Sequence, residues 1–299
     1  MTAPVSYHIG CPVWTCRDWI GSVFDRNVEP NESLREYAKI FNTVEANSVF
    51  YATPPSSNLE RWMAETGPGF QFCPKFPKAI SHERRLVDAK EETNSFLKVL
   101  EVLDHGERLG PSFLQLPPSF NSNSFNVLES YLESLPPNFQ YAVEPRHVTW
   151  YDKSENEQMM NDLLQRLGID KVIFDSRPLF SSGPADKDEV AAQSRKPQTP
   201  VRKSVLGQHP FLRLVGKNDP SSNQPWLKEW APIINKWILD GKKPFIFTHC
   251  PSEAKAPYLA RALHEQLKKL NPLLEPFSNF ASDSKKAVEN QKQLDFFDA

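Results

Sequence analysis

Charged and amide side chains recur near the ends of short apolar runs in this sequence, where they could transfer protons or bind an anion. Three runs end in polar residues two positions apart: Glu45 with Asn47, Glu144 with Arg146, and Asp175 with Arg177. Four more runs carry one polar residue each, namely Lys75, Gln115, Arg213 and His249. Because side chains two positions apart in a strand share a face, each pair is expected to point in one direction. The pattern predicts a polar cluster where the runs end.

The charges of this predicted cluster favour an anionic ligand. A buried charge is costly unless it is paired, so the cluster must either pair internally or bind a ligand. The acids Glu45, Glu144 and Asp175 are outnumbered by the bases Lys75, Arg146, Arg177 and Arg213. The excess of bases suits a small anion, a phosphate or carboxylate held by forked arginines. The alternative is a self-contained network of salt bridges that caps the core.

The same residues suggest how an enzyme site would divide its roles. Glu45 or Glu144 would serve as the general base. Lys75 or His82 would act as an acid or electrophile, and Asp175 is a further candidate catalytic carboxylate. Arg146 and Arg213 would fix the anion, while Asn47, Gln115 and His249 would contact other parts of the substrate. His82 follows the third run and is the residue type that titrates nearest to neutral pH, although a loop histidine bonded to nearby backbone is the alternative.

A divalent metal is the competing interpretation of the acids. Together, Glu45, Glu144, Asp175 and His249 would offer the oxygen and imidazole ligands that barrel isomerases and barrel endonucleases use. Against this interpretation, the sequence contains no HxH, HExxH or clustered Cys/His spacing. Arginines two positions from two of the acids would also compete for them. We therefore assign no metal ligands from the sequence and leave a divalent metal open as a cofactor.

The elements that would position these residues alternate regularly along the chain. The predicted strands are His8 to Cys11, Thr43 to Phe50, Phe70 to Phe76, Ser112 to Pro117, Gln140 to His147, Lys171 to Arg177, Phe211 to Gly216 and Phe245 to Cys250. Segments rich in Leu, Ala, Glu and Lys lie between them and are expected to be helices. Strict alternation predicts an α/β fold, a single (β/α)8 barrel of the TIM type over residues 1–275. Such barrels carry their chemistry at the carboxyl ends of the strands, where the polar residues stand.

Composition argues against several classes of function. With 35 basic and 37 acidic residues the formal net charge is -2, so direct binding to duplex DNA is not expected. Neither GxGxxG nor GxxxxGKS/T occurs, so no nucleotide cofactor is expected. The four cysteines form no CxxC pair, and no signal peptide or apolar stretch of about 18 residues is found. A cytoplasmic protein without membrane contact is predicted.

Two regions depart from the regular alternation of strands and helices. Residues 181–209 are long, polar and charged, with a short helix predicted at Asp186 to Ala192 and basic tracts at Arg195–Lys196 and Arg202–Lys203. This segment would be a lid or specificity loop at the functional face, or else a solvated insertion. Residues 276–299 are expected to form a flexible tail that is polar until a pentapeptide, Gln293, Leu294, Asp295, Phe296 and Phe297.

Several ordered blocks of the chain resemble the YecE-like family, also called domain of unknown function 72. The matching blocks are Ile9–Gly10 with Trp14 and Trp19, Tyr37–Ala38 and Phe41–Tyr51, Phe70–Phe76 with Ile80–His82, Leu114–Pro118, Val143–His147 with Trp150, and Leu212–Gly216. The resemblance covers roughly residues 7 to 270 and implies a TIM barrel with a polar pocket, without implying a reaction. Trp14 and Tyr51 lie within these blocks and complete the predicted substrate-binding set.

The pentapeptide resembles a different motif. Bacterial DNA polymerases and repair proteins dock on the sliding clamp through QLSLF or QLDLF, and this chain differs in having Phe296 at the fourth position. The resemblance implies that Gln293 makes a polar contact while Leu294, Phe296 and Phe297 enter a pocket of the clamp. Three hypotheses follow: an enzyme for a small anionic or phosphorylated substrate, a clamp-tethered DNA-maintenance factor with nuclease-like chemistry, and a non-catalytic binding scaffold.

Overall fold

The computed structural model describes residues 7–283 as alternating strands and helices. The strands are β1 (His8–Gly10), β2 (Thr43–Ala46), β3 (Gln71–Pro74), β4 (Ser112–Gln115), β5 (Tyr141–Glu144), β6 (Asp170–Lys171), β7 (Ile173–Asp175), β8 (Phe211–Val215) and β9 (Phe245–His249). The helices are α1 (Ser33–Ala38), α2 (Ser48–Tyr51), α3 (Ser56–Glu65), α4 (Lys90–His105), α5 (Phe125–Glu133), α6 (Glu155–Arg166), α7 (Lys187–Arg195), α8 (Gln224–Leu239) and α9 (Ala256–Leu270). None of these helices of the described chain is long and apolar enough to span a membrane.

Every strand pair within residues 7–283 is parallel. The ladders form three sheets, with strand orders β1-β9-β8-β7, β2-β3 and β4-β5-β6. Further backbone hydrogen bonds join the sheet edges: Glu45 N donates to Cys11 O over 3.3 Å, Gly110 N donates to Phe72 O over 2.7 Å, and Phe76 N donates to Phe113 O over 3.0 Å. The predicted parallel α/β architecture is confirmed, whereas the ladders of the described residues do not run as one closed sheet.

The strands are shorter than predicted because the chain turns where the polar residues stand. β2 ends at Ala46 and α2 begins at Ser48, although the sequence predicts a strand as far as Phe50. At this turn Asn47 N donates to the carbonyl of Glu45 over 2.8 Å. The predicted sixth strand is interrupted at Val172, which separates β6 from β7. Polar side chains therefore leave the sheets at the points where regular pairing ends.

An apolar layer lies inside the strands and sets the direction of the residues that follow it. Its members are Cys73, Phe113, Ala142, Val172, Phe211, Phe245 and Phe247. A larger core packs against the helices and includes Phe72, Leu114 and Leu212 from the opposite strand faces. Since side chains alternate, the residue two positions after an inner apolar residue also points inward. That alternation directs six side chains into the interior, those of Lys75, Gln115, Glu144, Phe174, Arg213 and His249.

Residues 277–283 pack on the rest of the fold, which corrects the prediction of flexibility for this part of the tail. Phe280 is 1% exposed, and its ring meets that of Tyr258 at a centroid distance of 5.2 Å. Arg261 forms an ion pair with Asp283 at 2.6 Å. Phe277, whose ring lies 5.7 Å from that of Phe41, is a second apolar anchor of this otherwise polar segment. The clamp-like residues lie outside the described residues, namely Gln293, Leu294, Phe296 and Phe297.

Residues 181–209 contain a helix, close to the predicted position, that is fixed to the end of β8. α7 begins after Asp186, whose carboxylate accepts the N–H groups of the two residues that follow Lys187. Glu189 on this helix is fully buried and pairs with Lys217 at 3.2 Å, just beyond β8. A buried pair of this kind is costly to break, so α7 is held firmly at the carboxyl ends of the strands.

Candidate functional site

Arg213 joins the carboxylates of Glu45 and Glu144 in the interior of the strands. Its Nε and Nη2 donate to the two oxygens of Glu45 over 2.7 and 2.9 Å, and its Nη1 donates to Glu144 Oε2 over 2.5 Å. Both carboxylates are fully buried and Arg213 is 4% exposed. These charge-assisted hydrogen bonds connect β2, β5 and β8 through their side chains. Because all three nitrogens of Arg213 serve the glutamates, this residue is not available to fork around an anion, as the sequence suggested.

An imidazole and an amide complete the surroundings of Glu45. His249 Nε2 lies 3.0 Å from Glu45 Oε1, and Asn47 Nδ2 donates to Oε2 over 2.9 Å. Asn47 Nδ2 also donates to the carbonyl of Pro12 over 2.9 Å. Burial lowers the pKa of His249 to about 4, although Glu45 opposes this change. The imidazole is therefore neutral at pH 7, and its Nε2–H is assigned as the donor to the carboxylate.

Glu144 is linked to Lys75 through the side chain of Gln115. Arg146 Nε donates to Glu144 Oε1 over 2.6 Å, and Gln115 Nε2 donates to the same oxygen over 2.8 Å. Lys75 Nζ donates to Gln115 Oε1 over 2.9 Å and lies 3.9 Å from the centroid of the Phe50 ring. One chain of hydrogen bonds thus runs across the strand ends, from Lys75 through Gln115, Glu144, Arg213 and Glu45 to His249. We call these residues, with Arg146 and Asn47, the strand-end cluster.

Both carboxylates are held as anions, which argues against the general-base role suggested for them. Burial raises the pKa of Glu45, but Arg213 and His249 outweigh burial and hold this pKa well below its usual range. Burial of Glu144 is likewise outweighed, here by Arg146 and Arg213, and the pKa falls to about 2. A carboxylate with so low a pKa is a weak base at neutral pH. Glu45 and Glu144 therefore orient the cations around them.

Two cations of the cluster have no carboxylate of their own. Arg146 shares Glu144 with Arg213, stacks at 5.2 Å over the ring of Phe174, and has a side chain that is 15% exposed. Lys75 is also partly exposed, and burial followed by repulsion from Arg213 lowers its pKa to about 7. Two carboxylates thus serve three cations, and Arg146 and Lys75 stand on the exposed side of the cluster.

His82 lies at the edge of the cluster, in a π-helical turn over Ala79–Glu83. Its Nδ1 is 2.8 Å from Ser81 Oγ, and its ring meets that of Phe50 edge-on at 5.1 Å. Burial lowers the pKa of His82 to about 4, with repulsion from Lys75 acting in the same direction. His82 is therefore neutral near pH 7, where it can accept a proton more readily than donate one, contrary to the acid role suggested by the sequence.

Asp175 points away from the cluster, which corrects its predicted place there. Its carboxylate accepts the indole N–H of Trp230 over 2.8 Å and Nη2 of Arg177 over 2.7 Å. Trp230 lies on α8, so Asp175 faces the helices while Phe174 faces the interior. Both faces of a strand in a parallel sheet are buried, so alternation in the sequence gave no basis for choosing between them. The charges of Asp175 and Arg177 neutralise each other outside the cluster.

Trp14 and Tyr51 also lie outside the hydrogen-bonded cluster. The ring of Trp14 packs edge-on against those of Trp62 and Phe72, at 5.0 and 6.3 Å, among the core side chains between β3 and α3. Tyr51 ends α2, is 80% exposed, and packs edge-on against Phe50 at 5.1 Å. Phe50, rather than Tyr51, is the aromatic residue of α2 that contacts the cluster.

The ligands considered for a divalent metal are not brought together. Arg213 lies between Glu45 and Glu144, and Asp175 faces α8. Across residues 7–283, no group of three or more His, Cys, Asp or Glu side chains is arranged to hold a metal ion. A divalent cation between the glutamates would have to displace the guanidinium and leave a buried arginine unpaired. The arrangement of these donors therefore does not fit a divalent metal.

Two ionisable residues that sequence reasoning did not assign to the site approach the cluster from loops. Lys196 follows α7, and burial, reinforced by Arg213, lowers its pKa to about 8. Glu253 begins the turn after β9, and burial raises its pKa to about 7. The available signals were weak: Lys196 belongs to a basic tract, and Glu253 follows a strand end. Neither lies on a strand, so alternation could not indicate them.

Known proteins resemble the chain over most of the length that the structure describes. The family model described as "Protein of unknown function DUF72" matches residues 8–280. The UPF0759 protein YecE of Escherichia coli (strain K12) is 35% identical over 265 residues, which cover 89% of this chain and 94% of that protein. A solved DUF72 family protein from Thermotoga maritima MSB8 has a TM-score of 0.62 at 22% identity, covering 89% of this chain and 98% of that one. One from Enterococcus faecalis V583 has a TM-score of 0.64 at 15% identity, covering 88% and 95% respectively.

Proposed function

This chain belongs to the DUF72 family, and we propose that it is an enzyme that binds a small anionic molecule, a phosphate or carboxylate, at its strand-end cluster. The carrying observation is the unequal charge of that cluster below about pH 7, where Arg213, Arg146 and the protonated Lys75 meet only two carboxylates. A partly buried cation without a counter-ion is costly, and an anion beside Arg146 and Lys75 would complete the pairing. A network that served only to stabilise the fold would be more stable with equal numbers of cations and carboxylates.

We propose further that the strands close into a (β/α)8 barrel of the TIM type. Strands that pair within the three sheets are successive in the chain or, as β1 and β9, its first and last, and hydrogen bonds at Glu45 and Gly110 connect the sheet edges. β6 and β7 then form one strand interrupted at Val172. Barrels of this type bind their ligands at the carboxyl ends of the strands. This architecture supports a ligand site in preference to a purely structural network.

Lys75 is the proposed proton-transferring group among the predicted residues. General acid–base catalysis is most effective when the pKa lies near the working pH, and the pKa of Lys75 is about 7. Gln115 and the ring of Phe50 fix the position of its ammonium group. An anion bound to Arg146 would raise the pKa of Lys75, so binding would be accompanied by proton uptake. The proposed reaction class is proton transfer to or from an anionic substrate.

Sulfate binding tests this proposal, because the charge of sulfate does not change near neutral pH. We expect the affinity of the wild type for sulfate to rise as the pH falls through about 7, where Lys75 gains its proton. Arg146→Gln is expected to weaken sulfate binding about tenfold or more, which corresponds to the loss of one charge-assisted hydrogen bond. Titration calorimetry at constant ionic strength measures both effects.

Lys78→Met is the matched control for this experiment. Lys78 is three residues from Lys75, its side chain is 52% exposed, and it pairs with Glu83 at 3.0 Å. The control removes one positive charge from the same region and is expected to change the affinity less than about twofold. Absence of sulfate binding by the wild type, or an equal loss in both variants, would contradict an anion site at Arg146.

The tail carries the second proposed function, docking on a bacterial sliding clamp. Support comes from the pentapeptide in the sequence that begins at Gln293. A peptide covering residues 290–299 is expected to bind the clamp, and Phe297→Ala to weaken binding about tenfold or more. Calorimetry with purified clamp measures this. A wild-type peptide without affinity would end the DNA-maintenance hypothesis.

A further inference from the structure

Glu253 carries a buried oxygen atom that the described chain does not satisfy. Its backbone carbonyl accepts the indole N–H of Trp19 over 3.0 Å, and Trp19 is fully buried, so the turn after β9 begins at a fixed place. Its Oε2 is buried and has no hydrogen-bond partner among residues 7–283. A buried polar atom without a partner costs roughly 1–3 kcal/mol. Such an atom in a native fold points to a partner that comes from outside the chain.

Lys196, which follows α7, is the second ionisable residue here, and its charge acts on Glu253. Ser176 Oγ donates over 2.7 Å to the carbonyl of Pro197, which ties the turn after α7 to the end of β7. Arg213 and Arg146 repel the ammonium group of Lys196, and it in turn favours the ionised form of Glu253. The carboxylates of Glu45 and Glu144 act on Lys196 in the opposite direction and favour its charged form.

We propose that Lys196 and Glu253 form the second half of the ligand site. Lys196 binds the anionic group together with Arg146, and Glu253 Oε2 accepts a hydrogen bond from a hydroxyl group of the same molecule. The ligand class is a small phosphorylated or carboxylated molecule with a hydroxyl group. This inference deepens the proposed anion-binding function and rests on it.

The surroundings of Glu253 suit it to this role better than those of the two buried glutamates. The ionisable groups facing it are Lys196, Glu45, Cys11, Cys16 and Cys250, with Lys255 on its own turn. Burial raises the pKa of Glu253 to about 7, and Glu45 acts in the same direction while Lys196 opposes them. Burial also raises the pKa of each of the three thiols, so these groups are neutral at pH 7. Glu253 is thus the carboxylate of the site that can gain and lose a proton near neutral pH.

A pair of matched ligands tests the inference. Glycerol 3-phosphate and propyl phosphate share a phosphate and a carbon chain of the same length, and they differ in hydroxyl groups. The ratio of their affinities, measured by calorimetry between about pH 5.5 and about pH 8.5, largely cancels the titration of the phosphate itself. We expect the wild type to prefer glycerol 3-phosphate about tenfold. The preference should increase as the pH rises through about 7, because the ionised carboxylate is the stronger acceptor.

Three variants test whether Glu253 causes the hydroxyl preference and whether Lys196 binds the anionic group. Glu253→Gln preserves the shape of the side chain but cannot titrate, so its preference should no longer depend on pH. Lys196→Met is expected to weaken both ligands about tenfold or more. Lys255→Met is the control, since Lys255 is exposed and lies two residues from Glu253, and it should leave both affinities unchanged. Thermal unfolding of each variant establishes that the fold is retained.

The outcomes separate this inference from the function on which it rests. If the wild type shows no preference while its sulfate binding still depends on Arg146, the role of Glu253 is overturned and the anion site stands. If neither phosphate compound nor sulfate binds, both proposals fail. An unchanged pH dependence in Glu253→Gln would also overturn the assignment to Glu253.

Discussion

Replacing Arg213 with methionine is expected to lower the free energy of unfolding by about 3–5 kcal/mol at neutral pH. The substitution leaves Glu45 and Glu144 buried without the guanidinium that holds them, and an unpaired buried carboxylate is the costly case. Arg166→Met is the matched control, because Arg166 also pairs with two glutamates, at 2.8 Å each, but its side chain is 51% exposed. Exposed pairs contribute about 0–1 kcal/mol, so the control should lose little. Denaturant unfolding monitored by circular dichroism measures both losses.

The loss at Arg213 should depend on pH with a defined sign. In the wild type the pKa of Glu144 is about 2 and that of Glu45 lies well below its usual range, so both are below the unfolded-state value of about 4.3. The stability that these pairs provide is therefore complete above about pH 5 and is lost as the pH falls towards 2. Without Arg213, burial raises both pKa values, and the variant should be less destabilised at pH 5 than at pH 7. Two results for Arg213→Met would contradict this account: a loss of unfolding free energy below about 1 kcal/mol at pH 7, or a loss at pH 5 that is as large as the loss at pH 7.

Removing the charges together should be better tolerated than removing the arginine alone. A double variant with Arg213→Met and Glu45→Gln leaves Glu144 paired with Arg146 and removes the unpaired carboxylate at position 45. It is expected to recover part of the stability lost in the single variant, because replacing both partners of a buried ion pair by neutral groups costs less than removing one partner. A recovery of stability would show that the loss in Arg213→Met comes from an unpaired charge, since a simple loss of packing around the Arg213 side chain would persist.

Phe280→Ala is expected to lower the free energy of unfolding by about 3–5 kcal/mol, the usual cost of truncating a buried phenylalanine. Phe280 is 1% exposed and lies in the segment that its composition predicted to be flexible. Its ring packs on Tyr258 of α9, with Arg261 at 4.0 Å from the ring centroid. A loss of this size would establish that residues 277–283 belong to the folded unit.

Leu273→Ala is the control for the variant at Phe280. Leu273 lies shortly before that segment and is 72% exposed, so its truncation should change the free energy of unfolding by less than about 0.5 kcal/mol. Equal, small effects of the two substitutions would restore the sequence-based expectation that the chain beyond residue 276 does not contribute to the fold.

The strand-end cluster combines a structural part with a part that is open to chemistry. Glu45, Glu144 and Arg213 are buried and mutually satisfied, and they fix the positions of the side chains around them. Arg146 and Lys75 are partly exposed and share too little negative charge. The predicted self-contained network therefore accounts for the buried part, and the proposed anion site would use the partly exposed part that this network orients.

The chemical roles of Glu45 and Glu144 cannot be deduced from their residue type alone. The sequence suggested Glu45 or Glu144 as the general base because carboxylates commonly act in that way. Their pKa values depend on Arg213, which stands 168 positions from Glu45 and 69 from Glu144. Contact with a guanidinium turns a candidate base into a fixed anion, whereas burial that Lys196 opposes only in part gives Glu253 a pKa of about 7. The difference arises entirely from tertiary neighbours.

The sequence by itself determined the α/β alternation and the parallel strands, because apolar periodicity and the turns between elements are local properties. For the same reason it determined which polar residues stand at strand ends, namely Glu45, Lys75, Gln115, Glu144, Arg213 and His249. Only the tertiary structure decided which face each side chain takes, and it turned Asp175 towards α8. Both faces of a parallel strand are covered by apolar neighbours, so local hydrophobicity cannot distinguish them. Lys196 and Glu253 come from loops 57 positions apart, and their approach to the cluster depends on the assembly of all the strands between and around them.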